Sequence, residues 1–328
     1  MGRVGVNPWK DQDLGSQGIW HRVVTPVFIP EDAGYFAQAA AVLDLCLSSL
    51  WASCGEETAI TVVVNAASKE AERVIERHWK RGVIETLIWQ RENVGKINAL
   101  MAGVHGSYEP FVTLTDSDIF FLPGWLEETV AVFNAFPFAG AVSALPVPHL
   151  RRHVNDSTWL GAAGRGLLHY GAFAAENDLK TYLQDVNSPQ LIPPKLMKQQ
   201  WAVARDGRKA LIGATHMQCT YRREALEAAP RERCAAAMGL DSEFRWMDAP
   251  ADVKGLWRLS STKAYVRHMG NLVSDDIQQI ALGEAKRREG ALAAPRGPKV
   301  PLEARLPYSV RKLAGKAVRK LMEAILEN

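Results

Sequence analysis

Short apolar runs alternate with stretches of helical periodicity over roughly the first half of the chain. Each run is rich in β-branched or aromatic residues and is followed by a polar residue or a proline, which predicts strands at 23–29, 60–64, 83–89, 111–114 and 139–145. Between them, apolar side chains recur at helical spacing, which predicts helices at 35–51, 69–80, 98–106 and 125–133. Strands that alternate with helices favour a mostly parallel sheet with helices on both faces.

The rest of the chain is less regular. Residues 149–208 show no clear period and are interpreted as a variable insertion, partly helical, over one edge of the sheet. Further strands are predicted at 210–221 and 264–268, and further helices at 223–229, 241–247 and 307–326. The predicted organisation is an irregular segment over 1–22, an α/β domain over 23–271, and a charged linker with a terminal helix over 272–328.

Composition narrows the class of protein. The 328 residues are 47% hydrophobic and 23% charged, which is typical of a globular protein with a full core. The net charge of +3 is too small to indicate nucleic-acid binding. The four cysteines lack C-x-x-C spacing, and neither a signal peptide nor an uncharged apolar run of about 18 residues is found, so a cytoplasmic protein is expected.

The most informative motif is Asp116-Ser117-Asp118, which directly follows the predicted strand at 111–114. In extended chain, residues two apart point to the same side, so both carboxylates can converge on one target. The carboxyl ends of strands are where open α/β sheets bind ligands, and hard cations prefer oxygen ligands. The motif therefore predicts a cation or ligand site, although a simple turn also favours these residue types.

Three further motifs carry polar side chains at the ends of predicted elements. They are Asn93-Val94-Gly95-Lys96 before a helix, Gly239-Leu240-Asp241-Ser242-Glu243 at a helix start, and His268-Met269-Gly270-Asn271 after a late strand. Each also has a structural explanation, namely a solvated turn, a helix cap and a structural histidine. Their order along the chain is more specific than any one of them.

Together with the strands at 23–29 and 60–64, this ordered set resembles the inverting family 2 glycosyltransferases of GT-A fold over about residues 23–271. The resemblance implies a three-layer α/β/α sandwich of GT-A type with a mostly parallel central sheet, here with a C-terminal helical tail. It also implies a metal-dependent, hexosyltransferase-like enzyme of cell-surface polysaccharide biosynthesis. Such an enzyme moves a sugar from a nucleoside-diphosphate sugar to a glycan or lipid-linked acceptor, and the insertion would lie on the acceptor side.

The resemblance implies roles for individual residues. A divalent metal, Mn²⁺ or Mg²⁺, would be held by Asp118 and His268, with Asp116 contacting the ribose or the metal through water. The metal would neutralise the charge that develops on a departing nucleoside diphosphate. The nucleotide sugar would be bound by residues near the strand ends: Ile29, Pro30, Asn65, Asn93, Lys96, Asp116 and Ser117.

The attacking sugar hydroxyl has a high pKa and needs a base. In the resembled family this base is an aspartate at the start of a helix, and Asp241 matches that position. Glu243 is the second candidate, for the same role or for orienting the acceptor. An acidic residue usually precedes the base, whereas this chain has Leu240 there.

Two alternatives remain open from the sequence. A sugar-phosphate nucleotidyltransferase has similar layering but needs a glycine-rich loop after the first strand, where this chain has Pro30-Glu31-Asp32-Ala33-Gly34. A non-catalytic module that binds a sugar nucleotide or a glycan is the other.

Two regions are candidates for further contacts. Insertion residues that can stack on sugars, or else pack in the core, are Trp159, His169, Tyr170, Tyr182 and Trp201, and His216 can border the acceptor or be structural. The terminal helix has an apolar stripe of Val310, Leu313, Ala314, Ala317, Leu321 and Ile325, with Lys312, Lys316, Arg319 and Lys320 away from it. Such a helix either lies on an anionic membrane, here the inner face, or docks on its own domain.

Overall fold

The computed structural model describes residues 5–8, 10–13, 18–239, 241–281 and 287–327. In these residues the strands are β1 (His21–Ile29), β2 (Thr58–Ala67), β3 (Thr86–Gln90), β4 (Phe111–Thr115), β5 (Ile119–Phe121), β6 (Ala139–Ser143), β7 (Leu168–Gly171), β8 (Gln200–Arg205), β9 (Arg208–Ile212), β10 (Gln218–Arg222), β11 (Trp257–Ser260) and β12 (Val266–His268).

The α-helices are α1 (Ala39–Ser53), α2 (Lys69–Lys80), α3 (Lys96–His105), α4 (Trp125–Ala135), α5 (Asp156–Ala163), α6 (Glu176–Asp185), α7 (Pro194–Lys198), α8 (Arg223–Leu226), α9 (Ala249–Val253), α10 (Asp275–Ala281) and α11 (Tyr308–Leu326). Short 3₁₀ helices lie at Gly34–Phe36, Pro148–Arg152 and Leu302–Arg305, and a π-helical turn lies at Phe244–Asp248.

The described strands form a ten-stranded sheet in the order β3-β2-β1-β4-β10-β6-β11-β9-β8-β7, and β12 and β5 form a separate two-stranded sheet. The pairings give β1, β2, β3, β4, β6, β8 and β11 one direction and β7, β9 and β10 the other. The sheet is therefore mostly parallel, as predicted. Its central strands are buried on both faces, which explains their continuous apolar sequences.

Helices cover both faces of the sheet. On β1, Val23 belongs to a core cluster with Leu43 of α1, whereas its neighbour Val24 belongs to a second cluster with Leu100 of α3. Alternate residues of a strand point to opposite faces, so the two clusters lie on opposite sides. This is the α/β/α sandwich of GT-A type that was expected. The stretch Gly34–Ser53 is long and apolar enough to cross a membrane by length and composition, but it contains core helix α1.

His21 of β1 forms side-chain hydrogen bonds with both neighbouring strands, β2 and β4. The side chain is fully buried, and its ring nitrogens form hydrogen bonds of 2.9 Å with Thr58 Oγ1 on β2 and 2.7 Å with Thr113 Oγ1 on β4. Burial is the main cause that lowers the pKa of His21 from 6.5 to about 3. The imidazole is therefore neutral in the folded protein, whereas in the unfolded chain it gains a proton as the pH falls below 6.5.

We expect this difference to make the fold sensitive to acid. Because only the unfolded state binds the extra proton, lowering the pH stabilises the unfolded state. Through His21, the free energy of unfolding falls by about 2 kcal/mol as the pH is lowered from about 7.5 to about 5. The His21→Gln variant lacks the titration, so urea unfolding of both proteins at the two pH values should give a smaller loss in the variant. Equal losses would show that His21 does not titrate in this range.

The insertion differs from its interpretation. Rather than lying over the edge of the sheet, residues 149–208 contribute β7 and β8 to that edge, together with α5 to α7. The single strand predicted at 210–221 is two strands, β9 and β10. Strand β11 escaped prediction because its four-residue core contains Arg258, whose charge interrupts the apolar pattern and is neutralised only by a distant partner, Asp248.

The segment interpreted as a linker is packed against the domain. It contains α10, and Arg288 pairs with the buried carboxylate of Glu57. Glu57 Oε2 also accepts a hydrogen bond of 3.0 Å from the amide of Leu292, whose carbonyl accepts one of 2.8 Å from the indole of Trp20. The charge of this segment suggested a solvent-exposed linker, but its Arg288 instead holds the segment against the residues that precede β2.

Helix α11 docks on α5 by a close approach of the two backbones. Gly315 is buried in this contact, and a Cβ added there would overlap the backbone of Asp156. We therefore expect Gly315→Ala to lower the free energy of unfolding by about 1–3 kcal/mol, the usual cost of overpacking. Chemical denaturation measures this, with Ala317→Ser on the exposed side of α11 as the control. An unchanged midpoint would show that the helices are not in tight contact.

Candidate functional site

A cavity of about 390 Å³ lies at the carboxyl ends of β1, β2 and β4. Seven of the residues predicted from the sequence line it: Ile29, Asn65, Asn93, Lys96, Asp116, Ser117 and Asp118. Pro30 is exposed beyond the end of β1 and is not among the lining residues. The sheet edge thus collects side chains from separate parts of the sequence, as open α/β sheets do at their ligand sites.

Lys96 and Asp116 form an ion pair inside the cavity. The Lys96 Nζ lies 2.6 Å from Asp116 Oδ1, and both residues are largely buried. Burial by itself would lower the pKa of Lys96, but the carboxylate of Asp116 outweighs it and raises the pKa above its ordinary value. The ammonium group is therefore charged. Asp116, which was also predicted to reach a metal, is turned towards Lys96.

Asp118 and His268 are brought together by the small sheet of β5 and β12. The amide of Met269 donates a 2.8 Å hydrogen bond to the carbonyl of Asp118, and this places His268 Nε2 3.3 Å from Asp118 Oδ2. Burial lowers the pKa of His268, but the hydrogen bond and charge of Asp118, with help from the backbone of Asp185, raise it overall. The other carboxylate oxygen of Asp118 is buried without a hydrogen-bond partner in the described structure.

These two side chains fit a divalent cation. A buried carboxylate oxygen without a partner, next to an imidazole, is a donor set that transition metals such as Mn²⁺ accept. Within the described part of the chain, however, no three His, Cys, Asp or Glu side chains are grouped to hold a metal by themselves. The described residues thus offer two ligands here, and further ligands would have to come from a substrate or water.

Asn65 and Asn93 shape the wall of the cavity. Asn65 is buried, donates a 2.9 Å hydrogen bond to Asn93 Oδ1 and accepts one of 2.7 Å from the amide of Val94. Gly95 then has a φ of +87° and packs so closely on Ala237 that a side chain there would collide with that segment. The two asparagines therefore hold the loop before α3; a contact with a nucleobase stays a prediction.

The two candidates for the base occupy different surroundings. Asp241 is exposed, has a φ of +62° and is not among the residues lining the cavity. Glu243 is partly buried, and its Oε1 lies 4.0 Å from Lys96 Nζ. Burial acts to raise the pKa of Glu243, but hydrogen bonds from its own amide and from Ser242 hold the pKa below its ordinary value. Leu240 lies outside the described residues.

A second cluster near the cavity was not predicted. Asp248 is buried and accepts hydrogen bonds of 2.6 Å from Arg258 Nη2, 2.9 Å from His153 Nε2 and 3.2 Å from His216 Nδ1. Although burial opposes it, the Arg258 guanidinium keeps the pKa of Asp248 well below its usual range. His216 also acts electrostatically on Asp116, so the cluster adjoins the site. No local signal marks Asp248, because its two histidine partners are 95 and 32 residues away in the sequence.

The aromatic residues of the insertion are mostly in the core. Trp159, Tyr182 and Trp201 are buried, and the first and last pack edge to face at 5.0 Å, so they are not available to stack on a sugar. Exposed aromatic rings lie instead at the cavity, where Phe28 and Tyr35 line the wall. Phe28 is the one exposed residue of β1, and the apolar sequence of this strand does not distinguish it from its buried neighbours.

The fold and the site define a class: an α/β sandwich of GT-A type with a charged cavity at the carboxyl ends of its parallel strands. Residues 35–162 match the sequence model described as glycosyl transferase family 2. The resemblance to family 2 glycosyltransferases is confirmed by this match, which includes the Asp116-Ser117-Asp118 motif. No curated protein sequence matches the chain.

Three solved structures align with this chain at 13–14% sequence identity. The mannosyltransferase PcManGT from Pyrobaculum calidifontis, in complex with GDP-Man and Mn²⁺, aligns with a TM-score of 0.45 and 13% identity over 96% of this chain and 80% of its own. TarS from S. aureus aligns with a TM-score of 0.43 and 14% identity over 80% of this chain and 38% of its own. Glucosyl-3-phosphoglycerate synthase from Mycobacterium tuberculosis, with Mn²⁺, UDP and glucosyl-3-phosphoglycerate, aligns with a TM-score of 0.38 and 14% identity over 80% of this chain and 75% of its own.

Proposed function

We propose that the protein is a metal-dependent, inverting glycosyltransferase that moves a sugar from a nucleoside-diphosphate sugar to a glycan or lipid-linked acceptor. The observation that carries this proposal is that Lys96, Asp116 and Asp118 line a single cavity, with His268 Nε2 3.3 Å from Asp118 Oδ2. The match to glycosyl transferase family 2 covers the motif that supplies two of these four residues.

The cavity has the polarity that a nucleoside diphosphate requires. Its lining combines the rings of Phe28, Tyr35 and Phe36, which suit a planar base, with the ammonium group of Lys96, which suits a phosphate. Asp116 would hold the ribose hydroxyls and keep Lys96 in position. A nucleotide sugar would thus be held at both its apolar and its anionic parts.

A divalent cation would be held by Asp118 and His268. When bound, it would supply Lewis-acid stabilisation of the charge on the departing diphosphate. Asp118 lines the cavity, and His268 Nε2 lies 3.3 Å from Asp118 Oδ2. We expect a chelator such as EDTA in excess to abolish transfer, and added Mn²⁺ or Mg²⁺ to restore it; unchanged turnover in EDTA would rule out the metal-dependent version.

For the general base we propose Asp241, which the resemblance favours and whose exposed side chain an acceptor can reach. Glu243 is the second candidate, favoured by its position 4.0 Å from Lys96 Nζ. Its charge there also suits a supporting role, in which it helps to keep Lys96 pointing into the cavity.

The other two classes of function predict different results in one experiment. The segment after β1 lacks the glycine-rich loop of a nucleotidyltransferase, which disfavours that class. Calorimetry with UDP, GDP, ADP and dTDP, with and without Mn²⁺, followed by a screen of the matching nucleotide sugars for released diphosphate, tests the proposal. Metal-dependent binding with release of a nucleoside diphosphate is expected. Binding without any release favours a non-catalytic module. Release of pyrophosphate in a parallel screen of nucleoside triphosphates with sugar phosphates favours a nucleotidyltransferase.

A lipid-linked acceptor would place the enzyme in the cytoplasm at the inner face of a membrane. The acceptor side would be formed by the insertion and by His153 and His216, which surround Asp248 beside the cavity. An aspartate that binds one ring nitrogen of a histidine fixes the tautomer and orientation of the ring. Asp248 would therefore set how His216 meets an acceptor hydroxyl.

A further inference from the structure

Exposed apolar side chains are concentrated near the end of the chain. Of the twenty large apolar side chains that are exposed in the described residues, eight lie in the stretch 300–326: Val300, Leu302, Leu306, Val310, Leu313, Leu321, Ile325 and Leu326. Isolated apolar side chains on a surface are ordinary, but a contiguous group of this kind marks an interaction site. The stretch includes all of α11.

Helix α11 is held to its own domain by a face that differs from its exposed apolar stripe and on which Met322 packs against the core. Arg311 is buried, and its guanidinium donates hydrogen bonds to the carbonyls of Asp252 at 3.2 Å and Ala304 at 3.2 Å. Gly315 lies next to the backbone of Asp156, four residues further along the same face. Besides this apolar contact, the docking uses a close backbone approach and a buried cation, and Leu313, Leu321 and Ile325 of the predicted apolar stripe stay exposed.

The end of α11 is fixed by its carboxylates. Glu323 accepts a 2.8 Å hydrogen bond from Arg152 Nη2, and Glu327 accepts one of 2.6 Å from the indole nitrogen of Trp201. Both acidic side chains of this region are therefore occupied by the domain. The helix cannot turn its apolar stripe inwards without losing these contacts and the burial of Arg311.

The outward face of α11 is apolar along its centre. Leu313, Leu321 and Ile325 have exposed fractions of 74%, 60% and 61%, and the exposed Ala317 lies between the first two. Residues at these spacings form one continuous stripe on a helix. The two outcomes expected from the sequence, docking on the domain or an exposed stripe, are therefore both present, on different faces.

A row of lysines borders the stripe. Lys312, Lys316 and Lys320 are exposed and follow one another at four-residue spacing, so they lie along one flank of the helix. Lysine side chains beside an apolar surface can bury their aliphatic part and keep the ammonium group at the polar boundary. The combination of an apolar stripe and a basic flank is typical of helices that lie in the interface of an anionic bilayer.

We propose that this outward face of α11 binds the surface of an anionic lipid bilayer. Charge complementarity favours lipid over a second copy of the chain, because the lysine row needs anionic partners and both carboxylates near the end of α11 are already engaged. The docked face holds the helix in a fixed position, so the domain itself is carried to the membrane. This proposal does not depend on the enzymatic activity.

Sedimentation of the full-length protein with lipid vesicles tests the proposal. We expect binding to vesicles of phosphatidylglycerol with phosphatidylcholine, weaker binding at high salt, and none to phosphatidylcholine alone. The double substitution Leu313→Ser and Leu321→Ser should weaken binding by at least about tenfold, because two leucines no longer enter the bilayer. The matched control, Leu191→Ser with Ile280→Ser, changes two exposed apolar residues elsewhere and should bind as the wild type does.

Charge-reversal substitutions test whether lipid binding depends on the lysine row of α11 or only on the net positive charge of the protein. The substitutions Lys312→Glu, Lys316→Glu and Lys320→Glu should abolish binding, whereas Lys69→Glu, Lys80→Glu and Lys180→Glu change the net charge equally and should not. Equal losses in both sets would overturn the proposal. So would a wild type that leaves anionic vesicles unbound, or that self-associates through the leucines in light scattering without binding lipid. Circular dichroism and denaturation midpoints confirm that the variants are folded.

Discussion

Replacing Asp118 with asparagine is expected to abolish the metal dependence of nucleoside-diphosphate binding and to lower turnover by about 10³-fold. The carboxylate of Asp118 has one oxygen towards His268 and one buried oxygen without a hydrogen-bond partner in the described structure. Asparagine keeps the shape of the side chain but removes the charge that a cation needs. Loss of several kcal/mol of metal-derived stabilisation corresponds to a rate loss of about this size.

The measurement is calorimetric titration with UDP and GDP, with and without Mn²⁺, followed by turnover with the donor found in the screen. Asp206→Asn is the matched control, because Asp206 is 86% exposed at the turn between β8 and β9 and faces neither the metal pair nor Lys96. His268→Gln should weaken Mn²⁺ dependence in the same direction. An Asp118→Asn protein with wild-type Mn²⁺ dependence would remove Asp118 from the metal site while leaving nucleotide binding to be explained by Lys96.

The second large effect is expected at Asp241. Asp241→Asn should leave donor affinity unchanged and lower turnover by about 10²–10⁴-fold, the usual loss when a general base is removed. The physical reason is that the amide cannot accept the proton of the attacking hydroxyl, whereas the residues proposed to hold the donor, such as Lys96 and Asp118, are unchanged. Turnover at saturating donor and calorimetric affinity for the nucleoside diphosphate separate the two quantities.

Glu243→Gln provides the comparison within the same loop. Because Glu243 lies 4.0 Å from Lys96 Nζ, its loss of charge should alter donor affinity by roughly tenfold or less, with a smaller effect on turnover. The reverse result, an unchanged Asp241→Asn turnover with a large loss in Glu243→Gln, would assign the base to Glu243. Wild-type turnover in both variants would contradict a carboxylate base in this loop.

Local sequence was enough to predict the first half of the fold. The helix at 69–80 has the predicted bounds because Ser68 caps it, with its side chain accepting a 3.2 Å hydrogen bond from the amide of Ala71, and Gly82 follows its end. The strands at the centre of the sheet were recognisable because burial on both faces requires continuous apolar runs. The same strand ends predicted where Asp116 and Asp118 would lie, since parallel strands share one carboxyl edge.

The parts that escaped prediction depend on pairings that local periodicity does not show. The buried Arg258 of strand β11 pairs at 2.6 Å with Asp248, which lies before the strand, and no local pattern indicates such a pair. The contact of His268 with Asp118 was implied by the family resemblance and not by local periodicity, because it depends on the pairing of two three-residue strands that are too short to show a period. In the insertion, Trp159 and Trp201 pack in the core, although their sequence surroundings read as a loop.

The sequence by itself determined the layered α/β class, the strand ends that carry Asp116 and Asp118, and the two-sided character of the terminal helix, because each follows from local periodicity and chain direction. Only the tertiary structure decided that Lys96 turns to Asp116 and that Asp248 gathers two histidines and an arginine. It also decided that α11 docks through Arg311 and Gly315, leaving its apolar stripe outside. The physical reason is that burial of charge and close backbone approach are settled by the partner surface, which no single stretch of sequence contains.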